Sequence, residues 1–213
     1  MRPRRSGRSR CRVFSAVEPT DIERAEARPG DGLVTPAAVV MDRAFTVPGT
    51  PEQVWPWLAQ LGKQRGGWYF TRSVERFIPP RRRGLRRIDP RWQQLAVGQD
   101  VPDYGGRDEF FTVDEIDPPN LLIYRSRRRD MRLSWSIVVR LAGAVGEAPQ
   151  TRVLMRLRMG PIKRVWLAKS GGELIDVLTI AGAAAGLRER LEESADGSME
   201  RARDWRARCR RAR

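Results

Sequence analysis

The sequence predicts an α+β domain in which an antiparallel sheet packs against a long C-terminal helix. Three observations carry that expectation. Segments between residues 108 and 159 alternate apolar and polar side chains with period two, as half-buried strands do. A helical pattern with its own start signal lies ahead of them at 50–61. A wide apolar stripe at helical spacing follows them at 171–194.

Residues 1–35 combine Arg, Ser, Pro, Gly and Glu with few large apolar groups, which predicts a disordered basic arm. In "AVVMDRAFTV", Val39, Met41, Arg43, Phe45 and Val47 share one strand face, and "PGTP" ends the strand. Thr50 with Gln53 fits a capping box, and Pro51 suits a first helical turn. Val54, Leu58 and Leu61 then mark one helix face, with Gly62 as the stop and a kink expected at Pro56, which lacks an N–H to bond Glu52. The run "PPRRRGLRRIDPR" reads as a solvated loop. "DEFFTVDEI" and "NLLIYRSR" are strands separated by Pro118 and Pro119. "MRLSWSIVVRL" places Met131, Leu133, Trp135, Ile137, Val139 and Leu141 on one face. "TRVLMRLRM" sets Val153, Met155, Leu157 and Met159 against Arg152, Arg156 and Arg158, and "AGAVGEAPQ" links the two. Leu174, Val177, Leu178, Ala181, Ala184, Ala185, Leu187 and Leu191 form the helix stripe, and the small residues Gly182 and Gly186 predict close packing on the sheet. Asp196 and Gly197 punctuate it. Residues 196–213 form a basic amphipathic tail with Met199, Ala202, Trp205, Cys209 and Ala212 at helical spacing. One domain therefore spans 36–195.

The net charge of +15 over 213 residues is concentrated at the ends. Residues 1–13 hold six arginines without an acid, and 201–213 hold seven arginines with Asp204, leaving only +3 between. The tails therefore leave open an association with nucleic acid or an anionic membrane, although an arginine-rich coding bias explains them equally. No segment reaches the roughly 20 apolar residues of a membrane span, and the N-terminus has no apolar h-region, which predicts a cytoplasmic protein. Histidine is absent and the two cysteines, Cys11 and Cys209, lie in the basic ends, so no zinc spacing exists. No P-loop, dinucleotide or G-x-S-x-G pattern occurs, and no cofactor is expected.

The order of elements describes a helix-grip fold, and the residues strengthen that reading. "VPGTPEQVWPWLAQLGKQRGGWYF", "IDPRWQQLAVGQDVP", "LSWSIVVRL" and "TRVLMRLRM" resemble segments of the START-like (SRPBCC) superfamily of polyketide cyclase/dehydrase and lipid-transport proteins. The resemblance is to uncharacterised bacterial members with a W-P-W-L-x-Q-x-G-x-x-R-x-G-W-Y pattern, here Trp55, Pro56, Trp57, Leu58, Gln60, Gly62, Arg65, Gly67, Trp68 and Tyr69. It covers residues 38–191. Where relatives read Val-Gly-Asp, this chain has Val97, Gly98, Gln99 and Asp100, one residue more at the start of the second strand. The resemblance implies a hydrophobic ligand cavity and, across the superfamily, lipid transport, polyketide cyclisation or simple binding.

Trp55 and Trp57 sit about 200° apart around a helix, so one is expected to face the sheet and the other a loop. Trp68, Tyr69 and Phe70, after a Gly-Gly turn, either lock the helix to the domain or form the mouth of the cavity. Arg65 among these rings could stack on Trp68, meet a ligand carboxylate, or be solvated. Arg43 falls in phase with a buried face, which places it at a strand end or makes it a polar contact inside the cavity. Trp135, Ile137, Met155 and Leu157 line the cavity from the sheet or pack as core. Together with Trp57 and Tyr104 these are the candidate ligand-binding residues, and none is assigned a catalytic role. Binding of a small hydrophobic or lipid-like molecule is the reading favoured. A cyclase/dehydratase enzyme would have to use Tyr69, Tyr104, Asp103, Glu75 or arginines for proton transfer.

Overall fold

Six strands form one antiparallel sheet in the computed structural model, which describes residues 15–106, 108–144, 146–162 and 172–211, with side chains to residue 197. The expected tail side chains and the basic residues 1–14 lie outside the described residues. In chain order the strands are β1 (Val39–Pro48), β2 (Asp100–Pro102), β3 (Phe110–Asp117), β4 (Leu121–Arg128), β5 (Met131–Ala142) and β6 (Gln150–Gly160). Their order across the sheet is β1-β6-β5-β4-β3-β2. Among the described residues the α-helices named here are α1 (Asp21–Ala25), α2 (Pro51–Ala59), α3 (Arg72–Glu75) and α4 (Glu173–Arg211). α4 continues through Asp196 and Gly197, where the sequence suggested a break. One glycine costs a helix only about 1 kcal/mol relative to alanine.

α2 starts where its box predicts, with Gln53 Oε1 accepting from the Thr50 N–H at 2.9 Å. The Val97–Asp100 segment before the second strand forms a turn. Gly98 N–H bonds Val113 O, Gln99 O accepts from Val113 N–H, and Gly98 holds φ 84°. The sheet is bent by a register shift between Val113 and Glu115. Its concave face carries Phe45, Val153, Met155 and Ile137 in one core with Val54, Leu58, Val177, Ile180 and Leu187. The stripe on α4 is narrower than its periodicity suggested, since Leu174 and Leu178 are exposed.

The convex face is not the wet face expected. The segment expected to be a disordered arm is ordered from Ser15 onward. Val17 O accepts from Ala44 N–H at 3.0 Å, covering the free edge of β1. α1 and a 3-10 turn at Asp31–Leu33 then cross the outside of the sheet. Composition missed this because the strap sinks only a few apolar side chains, Val17 and Val34 among them, and is otherwise fastened by ions. Arg156, 5% exposed, gives Nε to Asp42 Oδ1 (2.7 Å), Nη1 to Asp31 Oδ2 (2.9 Å) and Glu26 O (2.9 Å), and Nη2 to Arg24 O (2.7 Å). Arg28 lies 3.5 Å from Asp42, Arg152 clasps Glu23 at 2.8 Å, and Arg140 pairs with Glu26.

The arginine fork of Arg152 holds the Glu23 carboxyl down to about 2, from an ordinary 4.5. A depressed carboxylate contributes stability that is complete above its unfolded value and fades as pH falls through its folded one. The strap is therefore expected to loosen between pH 4.5 and 2. Hydrogen exchange, corrected for intrinsic rate, should show protection of residues 15–35 falling in that window while the β5–β6 amides stay protected. Simultaneous loss from both would mean the strap is not a separable acid-labile unit.

Candidate ligand-binding cavity

A cavity of about 380 Å³ lies between the concave face and the first turns of α4. Trp68 and Trp135 form one wall, stacked with centroids 6.3 Å apart at 26°. Tyr124 continues the stack behind Trp135 at 5.7 Å and 22°, and Phe111 tilts against both. Met41, Met131, Met159, Leu133 and Leu157 come from the sheet, and Ile175, Thr179 and Ile180 from the helix. Methionines suit a wall that must adapt its shape to an occupant.

Trp68 reaches this wall because of the loop before it. Gly62 and Gly67 form a paired bridge, with N–H to O distances of 3.2 and 2.9 Å. Gly67 holds φ 77°, and a Cβ there would meet Gly84 Cα at 2.9 Å, so only glycine permits the approach. The indole N–H of Trp68 then donates to Thr179 O at 3.1 Å, fixing the ring on the helix.

Two ion pairs interrupt the apolar lining. Arg43 stands mid-strand opposite Met155, not at a strand end, and its Nε lies 2.8 Å from Asp176 Oδ2. The contact is poorly aligned for a hydrogen bond, and both atoms lack any other hydrogen-bonding partner. Burial pushes the Asp176 carboxyl up, against the pull of Arg43. Across the cavity Arg128 pairs with Asp103 and lies over the Phe111 ring, its Cζ 5.4 Å from the centroid.

The candidate residues separate into those at the cavity and those away from it. Trp68, Trp135 and Leu157 line it; Arg43 reaches it through Asp176; Tyr104, over half exposed, stands edge-on to Trp68 at 6.4 Å and borders a small adjoining void of about 30 Å³. Ile137 and Met155 are buried core. Trp57 and Tyr69 meet edge to face at 5.7 Å, with the Tyr69 hydroxyl donating to Trp57 O at 2.8 Å, and Trp57 borders a different hollow beside Pro48 and Leu191. Desolvation raises the Tyr69 hydroxyl above its usual range, which suits a fixed donor. Arg65 is also held away, stacked 5.0 Å over Trp92 and bonded to Ala59 O and Trp92 O. Phe70 packs on α4. Of the expected aromatic mouth, only Trp68 faces the cavity. Glu75 is buried in an ion-pair network remote from it.

Asp176, Arg128, Phe111 and Ile180 were not among the candidates, and Asp103 was named only for the enzyme reading. A signal for Asp176 existed: it is the one acid inside the apolar run 174–187, and Arg43 is the one cation on the inward face of β1. Two such charges on elements that must pack together call for each other. Asp103 and Arg128 are joined only by tertiary folding, which no local pattern reports.

No family model matches the chain, and no curated protein matches it. Among solved structures, a Mesorhizobium loti protein is 15% identical, covering 74% of this chain and 97% of its own, with TM-score 0.41. A Rhodobacter sphaeroides protein is 17% identical over 75% and 96%, with TM-score 0.42. A Polyketide_cyc-like protein of Corynebacterium glutamicum is 13% identical over 75% and 90%, with TM-score 0.31. No helix among the described residues is long and apolar enough to cross a membrane. The chain's own topology, six antiparallel strands curled against one long C-terminal helix, is the helix-grip fold that the sequence led us to expect.

Proposed function

We propose that this protein binds a small, mainly apolar, uncharged molecule in the cavity between Trp135 and Ile180. The observation that carries the reading is the cavity itself: about 380 Å³, within the range of small-molecule sites, walled by stacked indoles and methionines. Its charges support an uncharged occupant, because Asp176 is matched by Arg43 and Asp103 by Arg128. A charged ligand would compete with those pairs.

Catalysis is the weaker reading. A general base needs a lone pair within reach of substrate. Two carboxylates do reach the wall, but each is engaged by a guanidinium, and Tyr69, the most buried of the tyrosines proposed for proton transfer, faces elsewhere. The arginine-rich ends remain a separate proposal for weak contact with nucleic acid or an anionic membrane, resting on sequence alone.

The test uses N-phenyl-1-naphthylamine, a neutral fluorescent probe, with the full chain. The parent is expected to bind it with blue-shifted emission. Leu157→Trp, which places an indole in the cavity opposite Trp135, should weaken binding at least tenfold, about 1.4 kcal/mol, while circular dichroism stays unchanged. Undiminished binding in the folded variant, or none in the parent, would overturn the reading.

A further inference from the structure

We propose that Arg127 and Arg132, on the convex face opposite the cavity, form a binding site for a small phosphate-bearing anion. The two residues stand directly opposite in the β4–β5 ladder. Like charges in that register repel, so the arrangement is unfavourable unless something neutralises it. The same face repeats the arrangement once: Arg140 stands opposite Arg152 in the β5–β6 ladder. There the chain supplies its own anions, Glu26 to Arg140 and Glu23 to Arg152.

The remaining arginines of this face follow suit. Arg125 pairs with Asp114, Arg156 with Asp42 and Asp31, and Arg158 lies 3.6 Å from Asp31. Among the described residues no carboxylate pairs with Arg127 or Arg132, and Arg127 Nε donates only to the Arg129 carbonyl at 3.4 Å. The strap stops short of them. It ends in the Asp31–Leu33 turn, and between Leu33 and the strands remains a groove of about 360 Å³, bordered by Phe110, Thr112, Arg125, Arg127 and Arg132. An external anion would do at this pair what Glu23 and Glu26 do at the other.

Charge count and shape select the class. Two uncompensated guanidinium groups call for two negative charges. A phosphate monoester carries roughly −1.5 to −2 at neutral pH on one tetrahedron of acceptor oxygens, which planar arginine forks grip bidentately. A dicarboxylate such as succinate also carries two charges, but on two separate planar groups rather than on one tetrahedron between the forks. Leu33 and the half-exposed Phe110 border the groove with apolar surface that suits an organic substituent on the phosphate.

Calorimetric titration of the full chain at low salt tests the proposal, with inorganic phosphate, phenyl phosphate and succinate as probes. One site is expected for both phosphates, with phenyl phosphate the tighter, succinate at least tenfold weaker, and affinity falling as salt screens the charges. Arg127→Gln and Arg132→Gln should each weaken phosphate at least tenfold, while Arg81→Gln, on the exposed 80–82 turn, should not. Without phosphate, the two site variants should be at least as thermally stable as the parent, because repulsion is relieved. Equal loss in Arg81→Gln, phosphate binding indifferent to both site variants, succinate binding as tightly as phosphate, or destabilised site variants would each overturn it.

Discussion

Arg190→Met is expected to destabilise the protein by roughly 3–5 kcal/mol, the usual penalty for removing one partner of a buried ion pair. Arg190 is fully buried on α4, and every nitrogen of its guanidinium is used. Nε donates to Leu85 O (2.7 Å), Nη1 to Phe70 O (2.8 Å) and Gly186 O (2.9 Å), and Nη2 to Glu75 Oε1 (2.6 Å) and Gly84 O (3.1 Å). Its Cζ also lies 4.6 Å over the Tyr69 ring. One cation thus ties the helix to the loop that carries Trp68 and to α3. Methionine matches the bulk, but it strands the buried Glu75 carboxylate with only Arg86 as a counter-ion and leaves three loop carbonyls without their donor. Scanning calorimetry should record a fall in Tm of about 6–20 °C. Glu75→Leu in the Arg190→Met background should restore part of the loss. A shift of under 2 °C, or a double variant no better than the single, would show that the network is not what fastens the helix.

Gly186→Ala is the second large effect, expected to cost about 1–2 kcal/mol net, even though alanine gains about 1 kcal/mol over glycine inside a helix. A Cβ on Gly186 would stand 2.6–2.7 Å from the Phe70 backbone atoms N, C and Cα. The contact is with main chain, and that main chain is clamped by Arg190, so it cannot step aside cheaply. Gly182 is a control one turn earlier. Its Cβ would meet only the Phe70 ring edge at 2.7 Å, and a ring can turn. Urea unfolding should therefore separate the two alanine variants by at least 1 kcal/mol, with Gly182→Ala near neutral. Equal midpoints would contradict this account of the small-residue strip.

That strip shows how far the sequence could be read. Its small residues correctly signalled close approach, but the partner is the Phe70 segment of a loop rather than the sheet, and periodicity names a face without naming what meets it. The strands of the second half were legible to within two residues, because alternation is written into Leu133, Trp135 and Ile137 themselves. The ordered strap was not legible, since hydrophobic content undercounts a segment fastened by guanidinium–carboxylate pairs. For the cavity, the aromatic cluster was visible in the sequence but its division was not. Trp68 and Tyr69 are adjacent, yet one ring turns to the cavity and the other to the Trp57 carbonyl.

The strap also decides where this protein can be trimmed. A cut at residue 36 looks tidy on composition, yet it would amputate the hydrogen-bonded neighbour of the first strand and leave Arg156 without Asp31 and its carbonyl ligands. The shortened molecule would carry a raw selvedge and a cluster of orphaned cations on its back, an invitation to dimerise through the exposed seam.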